Sequence, residues 1–115
     1  MKARLTILLI AAWVVAAGAA RAASVEHGRA ITATSCGGCH SIDRSGASPN
    51  PKAPPFRTLG QSYPVENLEE SLAEGIVTGH RQMPRFQFSP ADVEDVIAFL
   101  KDLQPGRPAE PAPAH

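Results

Sequence analysis

Residues 34–42 read TSCGGCHSI: both cysteines of the 115-residue chain lie here, with a histidine directly after the second. Three chemistries use such a motif: a redox dithiol, part of a metal site, or a covalent cofactor anchor. A thioredoxin-type Cys-x-x-Cys expects a strand before it, a helix after it and a parallel sheet around it. This one follows a weakly helical segment and runs into a loop rich in glycine and proline. A structural zinc site takes four protein ligands. Cys36, Cys39 and His40 offer at most three locally, and adjacent residues 39 and 40 point apart in most backbones.

The reading that remains is Cys-x-x-Cys-His as a c-type haem attachment. Each thiol adds across one vinyl group: a C–S bond forms, the thiol proton goes to the other vinyl carbon, and a thioether results. Two intervening residues let the backbone coil so that both sulfurs reach neighbouring edges of the ring, and His40 can then turn its imidazole under the iron. Gly37 and Gly38 are expected to keep that turn free of side chains.

The start of the chain reads as an export signal. Lys2 and Arg4 precede an apolar run from Leu5 to Ala20, and Ala20-Arg21-Ala22 places small residues at both cleavage-determining positions. That run is shorter than the roughly 20 residues needed to span hydrocarbon. Cleavage after Ala22 is expected, leaving a mature chain from Ala23 that is not membrane-spanning, in the bacterial periplasm. Removing Lys2, Arg4 and Arg21 from 11 basic and 11 acidic residues leaves 8 against 11, a net of −3. Such a balance excludes the basic footprint of a nucleic-acid binder.

At the other end, residues 105–115 (PGRPAEPAPAH) carry no apolar side chain larger than alanine and are expected to form a flexible Pro-rich tail. The folded domain is then residues 23–104. At that size an apolar core alone is marginal, and a large ring bonded to the chain supplies what is missing.

The pattern predicts an all-α domain of three to four short helices with long loops. The clearest helix is 89–103, SPADVEDVIAFLKDL, with Ser89 as cap, Pro90 at the first position and Asp92 as a capping-box acid. Val93, Val96, Ile97, Leu100 and Leu103 form its apolar stripe, with Phe99 beside it. A second helix is expected after Pro64, burying Val65, Leu68 and Leu72 and ending at Gly75. A third, from Ser24 to the motif, is weakened by Gly28 and its threonines; a glycine there makes sense if another helix approaches closely.

Iron with one protein ligand binds external molecules, whereas iron with two exchanges electrons. Met83, in GHRQMPRF, is the expected second ligand: its thioether is soft and neutral and favours ferrous iron. His80, three residues earlier, is expected at the surface, and would replace the sulfur and lower the potential only if the loop shifted. His27 and His115 are expected to be solvated side chains.

CGGCH, the proline loop APPF (53–56), QMPRF (82–86) and AFL (98–100) together resemble a class I monohaem cytochrome c of the bacterial periplasm, from Gly28 to Leu103. The resemblance implies one covalent haem c on Cys36 and Cys39, held in an all-α wrap whose first and last helices cross near Gly28, Phe99 and Leu100. It also implies His40 and Met83 as iron ligands, and a loop carbonyl, from Pro54 by position with Pro55 as the alternative, that holds the His40 ring. The function implied is a periplasmic one-electron carrier, not an enzyme, expected to be a monomer, with a redox-protein donor and acceptor such as a dehydrogenase, respiratory complex, oxidase or reductase. The alternatives are a dedicated cytochrome subunit of a periplasmic dehydrogenase and a haem gas sensor or peroxidase-like protein, the last of which needs an open sixth site. Arg44, Lys52, Arg57, Arg81 and Arg85 form either a basic docking face or partners of haem propionates and solvent.

Overall fold

Ser24 opens the first helix, its hydroxyl accepting a hydrogen bond from the His27 amide at 3.1 Å. The computed structural model describes residues 18, 20–75 and 82–106. Helix α1 spans Val25–Ser35 despite its poor intrinsic propensity, and tertiary packing makes up the deficit. Gly28 is buried where a Cβ would meet the Asp95 carbonyl oxygen at 1.9 Å and the Phe99 Cβ at 3.0 Å. One turn on, Thr32 has no exposed surface and returns its hydroxyl proton to the Gly28 carbonyl at 2.7 Å.

The last helix behaves as its sequence predicts. Helix α3 spans Pro90–Leu103, and Ser89 Oγ accepts from the Asp92 amide at 3.2 Å. Val93, Val96, Ile97, Leu100 and Leu103 are all buried, and so is Phe99. Each such side chain contributes about 1.5–3 kcal/mol on burial, which makes α3 the spine of the core.

Between these two, the expected single helix after Pro64 is divided. Residues Val65–Leu68 wind as a 3₁₀ turn, and only Glu69–Glu74 form the α-helix α2. Val65 and Leu72 are buried and Leu68 packs partly against the core, so the expected face is right while the first turn is tighter. Gly75 ends α2 with φ +101°, a left-handed conformation open to glycine. Residues Phe56–Gln61, read from sequence as loop, form another 3₁₀ turn that buries Phe56. No strand occurs among the described residues.

A buried carboxylate joins the two crossing helices, and His27, exposed as expected, is nonetheless bonded to it. Asp95 has no exposed surface, and its carboxylate accepts from Arg21 Nη2 (2.6 Å), the Ser24 amide (2.7 Å) and His27 Nδ1 (2.6 Å). Burial opposes its ionisation, but those hydrogen bonds, with the charge of Arg21, outweigh it and hold the carboxyl at about 2. His27 therefore staples the start of α1 to α3. His80, Arg81, His115 and most of the tail and expected export signal lie outside the described residues, and no helix among the described residues is long and apolar enough to cross a membrane.

Candidate functional site

Cys36 caps the C-terminus of α1, its amide donating to the Thr32 carbonyl at 2.8 Å. Its own carbonyl then accepts from the amides of Cys39 (3.1 Å) and His40 (3.0 Å), so the whole motif coils into one turn. A Cβ on Gly37 would lie 2.7 Å from the Ala33 carbonyl oxygen, whereas one on Gly38 would meet no heavy atom within 4 Å. Only the first of the two glycines is required by the protein's own atoms. Burial pushes the Cys36 thiol up to about 11, so unreacted it is a neutral thiol. The two cysteines form no disulfide.

The proline loop folds back onto the motif through backbone hydrogen bonds: the Asn50 amide donates to the Cys39 carbonyl and the Phe56 amide to the Ser41 carbonyl, each at 3.0 Å. A proline at 55 restricts the preceding residue to extended backbone, which presets the direction of the Pro54 carbonyl. That carbonyl lies 2.8 Å from His40 Nδ1. A carbonyl only accepts, so the proton sits on Nδ1 and the lone pair on Nε2. The Pro55 carbonyl is engaged elsewhere, accepting from the Thr58 amide at 3.0 Å and hydroxyl at 2.7 Å. The Phe56 ring rests against the imidazole, with centroids 4.5 Å apart.

The segment 82–88 adds Gln82, Met83, Pro84 and Phe86 to the lining of the cavity. It is anchored by the Phe88 amide, which donates to the Leu72 carbonyl at 2.9 Å, and by stacking of Phe86 on Phe88. Met83, half-buried, lines the same cavity as Cys36, Cys39, His40, Pro54 and Phe86. Its volume, about 430 Å³, falls in the range of ligand sites. The five residues singled out from sequence are thus brought to one place.

These residues fit haem. The motif turn offers two thiols and an imidazole with its tautomer set by Pro54, and Met83 adds one thioether sulfur to the lining of the same cavity. Phe56 and Phe86 were not singled out as site residues, although both sit in the quoted motifs APPF and QMPRF. Their signal was an aromatic two or three residues from a candidate ligand or its carbonyl partner.

The charged residues divide. Arg44 pairs with Asp102 at 2.9 Å, and Arg57 turns toward Ser41 Oγ (3.3 Å) and the Asp43 carbonyl (3.4 Å). Lys52 lines the cavity rim and Arg85 lies between Pro84 and Phe86 of its wall, both exposed.

The family model for cytochrome c matches residues 25–104. The cytochrome c6 of Synechocystis sp. is 33% identical over 88 residues, covering 72% of this chain and 68% of that protein. No solved structure matches the chain.

Proposed function

The chain belongs to the cytochrome c family, and on that premise we propose that it is a periplasmic one-electron carrier whose haem iron is held between His40 and Met83. Membership brings the cytochrome c fold and a covalent haem c, for which Cys36 and Cys39 are the two cysteines present. The observation that carries the finer reading is that Met83 lines the cavity on which the motif turn and the Pro54-held imidazole also open.

When bound, haem supplies the ferrous–ferric couple. The chain's part would be to supply two ligands to the iron, from His40 and Met83. His40 presents Nε2 because Pro54 keeps the proton on Nδ1, and the Met83 sulfur favours the reduced state. With both ligands supplied by protein, no place on the iron would be left for a substrate and the protein would carry out no bond-making chemistry. Export with cleavage after Ala22 places it in the periplasm. A redox titration of the haem-loaded protein should give one reversible one-electron transition; irreversible or multi-electron behaviour would contradict the proposal.

Donor and acceptor dock at the cavity rim through Lys52 and Arg85, since Arg44 and Arg57 have protein partners. Exposed charges steer association in a salt-dependent way. Lys52→Glu with Arg85→Glu should slow electron exchange with an acidic redox protein at low salt by about tenfold or more and flatten its salt dependence. Unchanged rates and salt dependence would remove the docking face.

A further inference from the structure

Gln104, immediately after α3, uses its whole side-chain amide on backbone. Nε2 donates to the carbonyls of Leu100 (2.7 Å) and Phe56 (3.0 Å), and Oε1 accepts from the Gly60 amide at 2.8 Å. One side chain therefore joins the end of α3 to both ends of the 3₁₀ turn Phe56–Gln61. Gly60 permits this approach, because a Cβ there would lie 2.7 Å from Gln104 Oε1.

Phe56 is the common point. Its carbonyl is held by Gln104, its amide by the Ser41 carbonyl, and its ring lies against His40. Two residues earlier in the same rigid Pro-Pro-Phe segment is the carbonyl facing His40 Nδ1. Segment 54–56 is thus pinned on one side by the motif and on the other by Gln104, which lines no part of the haem cavity among the residues that do.

We propose that Gln104 is a positioning residue for the haem iron: by fixing Phe56 it sets the Pro54 carbonyl against His40 Nδ1, and so tunes the basicity of the ligating imidazole. This rests on His40 being an iron ligand. A strong Nδ1–H···O bond makes the imidazole more electron-rich and stabilises ferric iron. Loosening it therefore raises the midpoint potential.

The test compares haem-loaded native protein with Gln104→Leu, Gln104→Glu and, as a control, Val93→Ala, a core truncation on α3 away from the cavity. Gln104→Glu keeps the shape and the acceptor for Gly60 while losing both donors, so it reads the same quantity if the leucine variant fails to accumulate. Both Gln104 variants should show a raised midpoint potential. Exchange of the His40 Nδ1 proton, followed by NMR, should be about tenfold faster, as expected for the loss of about one net hydrogen bond. Val93→Ala should lower stability and move neither readout. The inference is overturned if the native spectrum is low-spin with histidine ligation and the Gln104 variants keep the native potential and exchange rate, or if Val93→Ala shifts them equally. A native protein without histidine-ligated iron would overturn the proposed ligation and this inference together.

Discussion

Gly28→Val should leave essentially no folded protein, and Gly28→Ala should lower the melting temperature by more than about 10 °C. Even the single methyl of alanine would lie 1.9 Å from the carbonyl oxygen and 2.4 Å from the carbonyl carbon of Asp95. Both are backbone atoms of α3, so no rotamer change relieves the overlap and the two helices must separate. Overpacking ordinarily costs about 1–3 kcal/mol; separating α1 from the spine of the core belongs at or above the top of that range. For a domain of this size each kcal/mol is worth roughly 4–8 °C. Thermal melts followed by far-UV circular dichroism check this, and a melt within about 2 °C of native would contradict the close crossing.

Asp95→Asn should cost about 2–3 kcal/mol near neutral pH and almost nothing in strong acid. The native carboxyl is held at about 2, below its ordinary value near 3.9. A depressed carboxyl contributes stability that is fully present above the unfolded value and is lost as pH falls through the folded one, here between about 4 and 2. Stranding a buried charge usually costs more, about 3–5 kcal/mol. Of the partners left by this substitution, however, the side chains of Arg21 and His27 are 53% and 51% exposed, so water can recover them, and the oxygen of the new amide can still accept from the Ser24 amide. Urea unfolding of native and variant protein at pH 6 and at pH 2 measures the difference. Equal stabilities at pH 6 would show that the carboxylate is not the staple described above. Arg21 stands just before the expected export cleavage, so a chain cut after Ala22 should begin its acid transition at higher pH than the uncut chain.

How much of this was legible depended on how local each feature is. Helix α3 announces itself, because Ser89, Pro90 and Asp92 are the starting signal and the apolar stripe follows without interruption. The motif turn is equally local, five residues whose chemistry fixes their spacing. Helix α1 reads weakly for the reason that makes it useful: Gly28 and Thr32 are poor helix formers chosen by contact with α3. The 3₁₀ turn at Phe56–Gln61 carries no signal of its own, since Gln104, distant in sequence, holds it, whereas Val65–Leu68 reads as helical and only its tighter winding is hidden. The buried Asp95 was readable in principle. It lies one turn before Phe99, on the face that Gly28 was expected to approach, and His27 adjoins Gly28.

The site shows the same division. Cys36, Cys39 and His40 followed from spacing and Met83 from its thioether chemistry in the loop before α3, whereas Pro54 came by resemblance to a family because its relation to His40 depends on how a loop returns. Arg44 and Arg57 could not be separated from Lys52 and Arg85 by sequence, because all are basic residues in loops and only the fold supplies Asp102, Ser41 and the Asp43 carbonyl as partners.

The most direct measurement is the absorption spectrum of the haem-loaded protein, oxidised and reduced, with and without carbon monoxide, native and Met83→Ala. Native protein should be low-spin in both states, carry the weak ferric iron-to-sulfur band and ignore carbon monoxide, while Met83→Ala should lose that band and bind the gas. A native protein that is high-spin and binds carbon monoxide would contradict an iron closed by His40 and Met83, and with it the reading of this chain as a dedicated electron carrier.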